Sequence, residues 1–294
     1  LAAYNFQAVY YCKPIHLTLS GGNVCPLRSE MAKRICGEVR DSGIVLEPVS
    51  DLNSESIAAD VEEGRIDLGL VLGGFSAEDF PHIRQVAALG VEPLHLLIRK
   101  SLVQQTSPSL EALRGRRVSL GERDSNGQIL ASDLLRFAGF ESRSEENEGD
   151  YIAVFNTEDD LFKQLRLLKD ATPSVRLVVE ASLPEAIFLV DSMPSVLVDQ
   201  LVQNGYVLVP LPYATALQLD SRRDHHSEGH RLDRSRVQAV TIPAYTYGID
   251  PASPAQDCPT LGLRLVLLTH ETTPTKAIVK LLRSLDQFMG QRYY

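Results

Sequence analysis

Apolar and polar positions alternate from Ile15 to Leu19 and then give way to Ser20-Gly21-Gly22, the pattern of a short strand ending in a turn. Pro26 suits the first turn of a following helix, which Met31, Ile35 and Val39 continue on one face until Ser42-Gly43 ends it. Ile44 to Val49 reads as a second strand. Asn53 or Ser54 can cap a second helix that turns Ile57, Ala58 and Val61 inward and stops at Gly64. Ile66 to Leu72 is a nearly continuous apolar run, as expected of a strand buried on both faces. The order strand, helix, strand, helix, strand predicts a parallel sheet, and such sheets bind ligands at the carboxyl ends of their strands, where helix N-termini and loop amides converge.

Val86 to Ile98 contains a further strand, strongest in LHLLIR, followed by a polar connection over residues 101–115. Arg117 to Leu120 is a short strand, GERDSNGQ a turn, and Gln128 to Phe137 a helix, which repeats the opening design and starts a second lobe near residue 100. TEDDLFKQLRLL is a capped amphipathic helix, and VRLVVEAS reads as another buried strand with a small polar end. Pro184 is expected to open a helical stretch, MPSVLVDQLVQNG another helix, and YVLVPLP a strand. VQAVTIPAY and LGLRLVLLTH then predict strands returning to the first lobe, closed by the amphipathic helix PTKAIVKLLRSLDQFM. The fold class expected is α/β, each lobe a mixed, mainly parallel sheet flanked by helices, with two chain crossings as a hinge. Residues 14–98 and 208–294 form the first lobe of this reading, residues 99–207 the second, and 1–13 an N-terminal segment following a signal or anchor.

The chain has 294 residues, more than one core usually organises, which agrees with two lobes. Its formal net charge of -9 argues against nonspecific nucleic-acid binding, which needs Lys and Arg to neutralise phosphates. No apolar stretch approaches the roughly 20 residues of a membrane helix. The apolar, aromatic start LAAYNFQAVYY reads as the tail of an anchor or as a docked segment. Cys12, Cys25, Cys36 and Cys258 have no zinc-type spacing and are expected as free, partly buried thiols.

The strand-end turns gather the candidate ligand contacts: Ser20, Gly21, Gly22, Asn23, Ser50, Asp51, Gly73 and Gly74 in the first lobe, and Ser125, Asn126, Gly127 and Gln128 in the second. Amides at helix starts, with neighbouring hydroxyls, suit a carboxylate without needing a basic side chain. The alternative is ordinary turn and capping chemistry. Arg28 and Arg123 can fork onto an anion, while Asp51 favours an amino-bearing ligand. Glu180 and Ser182, at the end of the expected strand RLVVE, and Tyr245 and Tyr247 complete the candidates. His225, His226 and His230 lie in one short segment without a metal-ligand spacing, so no metal and no cofactor is assigned. No GxSxG, HExxH or P-loop is present, and binding without catalysis is the expectation.

Five segments together, SGG followed by PL at 20–27, EEGRIDLGLV at 62–71, EPLHLLIRK at 92–100, LEALRGRRVSLGERDSNGQ at 110–128 and VTIPAYTYG at 240–248, resemble the TAXI-type solute receptors of TRAP transporters. EGRIDLGLV is also similar to the effector-binding domain of LysR-type regulators, which shares the fold. The resemblance implies a two-lobed type II periplasmic binding protein. It also implies a periplasmic or extracytoplasmic location, a small carboxylate ligand such as an amino acid or dicarboxylate, and a membrane permease as partner, with the receptor itself a monomer. This chain departs from the family at SGGNVCP, SDLNSES and LGG, the turns expected to touch ligand. That leaves open a second reading, a membrane-tethered sensory or scaffold module whose degenerate site serves a protein partner. A cytoplasmic regulator domain is a third.

Overall fold

The computed structural model describes residues 14–21, 26–49, 54–73, 79–103, 109–144, 148–169, 171–220 and 237–290. The chain divides into two compact units, one of residues 1–90 and 265–294, the other of Val91–Arg264.

In the first unit β1 (Ile15–Ser20) runs parallel to β2 (Ile44–Val49) on one side and to β3 (Leu68–Leu72) on the other. Helix α1 (Pro26–Glu38) follows β1, and α2 (Ser54–Glu62) follows β2. The first part of β4 (Ile83–Arg99) also belongs to this unit. The last part of β12 (Cys258–His270) adds antiparallel to β3, with Leu265 opposite Leu72 and Thr269 opposite Leu68. Helix α8 (Thr275–Gly290) closes the unit against α1 and β2.

The period-two rule explains the continuous apolar run of β3: Val71 packs with Ile57, Ala58, Val61 and Val266 under α2, so Leu68, Leu70 and Leu72 point to the other face. Gly69 lies on the α2 side, where a Cβ would meet Ile57 Cγ2 at 2.5 Å, so only glycine lets the helix approach this closely.

One polar contact sets the register of the unit. The Asp67 carboxylate accepts the Thr18 backbone N–H at 2.8 Å and its hydroxyl at 2.9 Å, while Thr18 Oγ1 accepts the Asp67 N–H at 2.9 Å. Thr269 then donates its hydroxyl to the Asp67 carbonyl at 2.9 Å, tying β1, the start of β3 and β12 at one residue.

The second unit is built on β7 (Ala186–Val190), buried along its whole length. It pairs antiparallel with Leu94 to Ile98 of β4 and parallel with β5 (Arg117–Ser119), which in turn pairs parallel with β6 (Ile152–Val154). Strand β8 (Tyr206–Leu208) adds antiparallel to β4, and β9 (Val237–Ile242) antiparallel to the first part of β12. A small hairpin, β10 (Gly248–Ile249) with β11 (Ala252–Ser253), lies between β9 and β12 in the chain. The described helices longer than four residues are α3 (Asn126–Phe137), α4 (Glu158–Lys169), α5 (Pro173–Ser182), α6 (Val196–Gln203) and α7 (Ala214–Asp220). Leu161, Leu165 and Leu168 of α4 and Leu197, Val198 and Leu201 of α6 pack with Ile187, Leu189 and Leu97 in one core.

Three sequence expectations change. VRLVVEAS is helix α5, not a buried strand: Pro173 occupies its first turn, and Val175, Leu177 and Val178 are 49%, 70% and 69% exposed. The stretch after Pro184, expected as helix, is strand β7, whose five residues AIFLV fill the buried position between β4 and β5. The chain leaves the second unit at residue 264 and not near 207, because β8 pairs with β4 and β9 with the Cys258–Leu263 part of β12. Cys36 and Cys258 are free and buried, and burial pushes the Cys258 thiol up to about 11. No described helix is long and apolar enough to cross a membrane.

The replacement Asp67→Ala removes two hydrogen bonds to a charged acceptor and leaves the Thr18 N–H and hydroxyl proton without that acceptor. We expect it to lower unfolding stability by about 2 to 4 kcal/mol in urea titration, with Thr18→Ser costing far less.

Candidate functional site

Parallel strands place their carboxyl ends, and the helices that follow, along one edge. In the first unit that edge holds Ser20 and Gly21, both buried, at the end of β1, opposite Val49 of β2. Gly73 follows β3 in the left-handed region, with φ of 74°, a turn that a side chain disfavours. The other candidates of this unit, Gly22, Asn23, Ser50, Asp51 and Gly74, lie outside the described residues, as does the segment with His225, His226 and His230.

In the second unit the edge is made by β7, β5 and β6, and each strand leads into a helix with its own cap. After β5, Ser125 is the N-cap of α3: its hydroxyl accepts the Gln128 N–H at 3.1 Å and donates to the Glu122 carbonyl at 2.8 Å. The Gln128 side chain reaches back to the Asp124 N–H at 3.2 Å, and Gly127 packs so near β7 that a Cβ would sit 3.3 Å from Val190 Cγ2. After β6, Thr157 and Asp160 form a reciprocal capping pair at the start of α4. After β7, Ser195 caps α6, its hydroxyl accepting the Val198 N–H at 3.1 Å.

The three helix starts differ in charge. The first turn of α4 carries Glu158, Asp159 and Asp160, and hydrogen bonds from Thr157 hold the Asp160 carboxyl below its ordinary range, so it stays ionised. Helix α6 carries Asp199 in its first turn, and buried Asp191 lies just before it, accepting the Ser192 N–H at 2.7 Å. The first turn of α3 has no acid, and the guanidinium of Arg123 beside it lies 4.0 Å from the centre of the Phe155 ring. Glu122 and Asp124 flank Arg123 ahead of α3, so its start is the least acidic of the three and opposes an anion least, while a cationic group is favoured near α4 and α6.

Behind this edge a buried relay joins three segments. His95 on β4 is fully buried, with Nδ1 3.3 Å from the Leu189 carbonyl and Nε2 2.7 Å from the Tyr247 hydroxyl. The Leu189 carbonyl can only accept, so Nδ1 carries the proton and Nε2 accepts the Tyr247 O–H. The same phenol oxygen accepts the Ser195 N–H at 3.3 Å, coupling the chain after β9 to the start of α6. Burial, opposed by bonds to the Leu189 and Pro93 carbonyls, lowers the His95 pKa to about 4, and burial raises that of Tyr247.

The structure thus gathers Ser125, Asn126, Gly127 and Gln128 at one helix start, and buries Tyr247 as a positioning group whose hydroxyl is spent on His95 and Ser195. Tyr245 is 56% exposed in the left-handed region, φ 65°, its amide bonded to the Pro254 carbonyl at 2.9 Å. Glu180 and Ser182 do not sit at a strand end. On α5, Glu180 pairs with Arg176 at 2.9 Å, and Ser182 donates its hydroxyl to the Val179 carbonyl at 2.7 Å. His95, Thr157, Asp191 and Ser195 were not singled out from sequence. The signals for them are a lone imidazole inside an apolar strand, T-x-x-D ahead of a helix, and D-S-M-P-S after an apolar run. Among the described residues no group of three or more His, Cys, Asp or Glu could hold a metal ion.

No protein-family model matches the chain, and no curated protein sequence matches it. Its structure is similar to an ancestral arginine-binding protein bound to arginine, at 12% identity and a TM-score of 0.50, covering 94% of this chain and 92% of that one. It is similar in the same degree to the BenM effector-binding domain with its effector benzoate, at 13% identity and a TM-score of 0.50, covering 94% and 93%. At these identities the likeness concerns the fold alone: the chain has the mixed α/β fold of type II periplasmic binding proteins and of LysR-type effector-binding domains.

A neutral His95 makes stability depend on pH. The unfolded chain protonates it near pH 6.5 and the folded chain only near pH 4, so the stabilisation is complete above about 6.5 and is lost as pH falls towards 4. Urea unfolding is expected to show a loss of about 3 kcal/mol from this group over that window, and His95→Gln to flatten that part of the profile.

Proposed function

We propose that this protein is an extracytoplasmic solute-binding receptor of the TAXI type that takes a small carboxylate-bearing ligand, of the amino-acid class rather than the dicarboxylate class, for TRAP-type uptake. The observation that carries the ligand class is the unequal charge of the helix starts in the second unit. The start of α3, with no acid in its first turn and with Arg123 between Glu122 and Asp124, is the least acidic of the three and opposes a carboxylate least, and the acid-bearing starts at α4 and α6 suit an ammonium group. A dicarboxylate would set its second negative charge against Glu158, Asp159 and Asp160 or against Asp191, at a cost. An arginine bound to one structural neighbour and a benzoate bound to the other both carry a carboxylate, which agrees with this reading. The TAXI assignment is supported by the five sequence segments, which span most of the chain in order. Binding without chemistry is part of this reading.

A thermal-shift screen of α-amino acids, dicarboxylates and benzoate tests this. An α-amino acid at about 100 times its Kd stabilises by roughly 2.7 kcal/mol and raises Tm by several degrees, whereas dicarboxylates leave it unchanged. A shift by dicarboxylates alone overturns the ligand class, and a shift by a protein partner with none by small molecules overturns the receptor reading. For an amino acid that binds, Arg123→Glu is expected to weaken affinity at least about tenfold in calorimetric titration, ~1.4 kcal/mol, without changing the fold. Unchanged affinity removes the start of α3 from the site.

A further inference from the structure

Ser119 Oγ, Asn156 Oδ1 and Gln164 Oε1 are buried in the second unit without a hydrogen-bond partner among the described residues. An orphaned buried oxygen is costly, and native folds rarely keep one. Register sets these three on one layer. Ser119, the fully buried last residue of β5, stands opposite Val154 of β6 and Ile187 of β7. Residues opposite one another in a sheet share a face, and Ile187 packs with Leu161, Leu165 and Leu168, so the Ser119 hydroxyl is turned towards α4. Pairing of β5 with β6 runs on past Val154, the Asn156 N–H donating to the Gly121 carbonyl at 3.1 Å. Phe155 turns to the opposite face, where its ring meets Arg123 ahead of α3, and alternation returns Asn156 to the α4 side. Gln164 lies three residues after Leu161 and four before Leu168, on the helix face that covers this sheet.

We propose that these three side chains hold an internal water molecule between β5, β6 and α4. The donor count requires a mediator. The two amide oxygens only accept, so neither satisfies the other, and the single hydroxyl proton of Ser119 serves one acceptor at a time. A water accepts that proton and donates one of its own to each amide oxygen, which completes all three groups at once. Spacing agrees. Neighbouring strands lie about 4.8 Å apart and two residues advance about 6.6 Å, so the Cβ atoms of Ser119 and Asn156 are on the order of 8 Å apart, a gap for two short side chains and one small molecule between them. The site is distinct from the polar edge, because Ser119 is level with Ile187, four residues or roughly 13 Å before Asp191 along β7. Asn156 directly precedes the Thr157–Asp160 capping pair, so the water ties the turn that carries the acids of α4 to the end of β5.

A high-resolution crystal structure of the full chain reads the site directly. An ordered water within about 3.2 Å of Ser119 Oγ and of at least one of the two amide oxygens is expected. A structure in which the three oxygens bond to protein groups instead, or in which no water reaches both Ser119 and an amide oxygen, overturns the proposal. Magnetic relaxation dispersion of the water oxygen counts long-lived waters in solution. Ser119→Val, which fills the space with methyl groups and suits a strand, is expected to lower that count by one with an unchanged circular-dichroism spectrum, while Ser119→Thr, which keeps the hydroxyl, leaves the count as it is. A folded Ser119→Val variant with the full count overturns the assignment, and the crystal structure decides the matter where that variant does not fold. None of these outcomes depends on which ligand the protein binds.

Discussion

The second unit depends on the complete burial of β7. Five consecutive apolar residues, hydrogen-bonded on one side to β4 and on the other to β5, leave no position for a polar side chain, so the chain can change character only after Val190. There it does so at once, with buried Asp191, Ser192 and the capping Ser195. The same strand supplies the Leu189 carbonyl that orients His95 and the Val190 side chain against which Gly127 packs closely. One buried strand thereby fixes the tautomer of the imidazole, the seat of α3 and the point where α6 begins.

The polar edge is a consequence of that geometry, but its charge is set locally. Each helix start leaves backbone N–H groups to be met, and the three solutions are a serine hydroxyl, a threonine–aspartate pair and a serine supported by a tyrosine. The aspartate solution neutralises the positive end of α4 from within the chain, which disqualifies that end for an anion. The serine solution at α3 leaves its end uncompensated by any acid of the first turn. Capping chemistry and ligand preference are therefore one choice made three times, and the position of the acids decides where each sign of charge is welcome.

Much of the framework is legible in the sequence because hydrophobic period and punctuation agree there. Gly43 after α1, the apolar run of β3 and the T-E-D-D start of α4 each point to one structure. Two segments are read wrongly for a physical reason. VRLVV and AIFLV are both short, apolar and rich in β-branched residues, and period alone cannot tell a buried strand from a helix of that length. The difference is tertiary, since only one of them has strands on both sides. That error sets Glu180 and Ser182 at a strand end, while Ser125 to Gln128 fall at a helix start as read, because a Ser-Asn-Gly turn before a helix is a local signal. The relay of His95, Tyr247 and Ser195 joins residues 152 and 52 positions apart, so nothing local announces it.

Helix α5 shows why the misread segment persists as a helix at all. Propensity does not favour it, because valine loses side-chain freedom in a helix, and its apolar side chains gain little where they stand. Its order comes from its end: Arg99 and Arg117 together satisfy carbonyls that would otherwise need water, and Arg99 is itself held 5.8 Å from the ring centre of Tyr206, whose hydroxyl bonds to the Pro184 carbonyl. The charged capping groups come from β4 and β5, the strands that flank β7. A helix anchored in this way tolerates apolar residues on its outer face without needing them for folding.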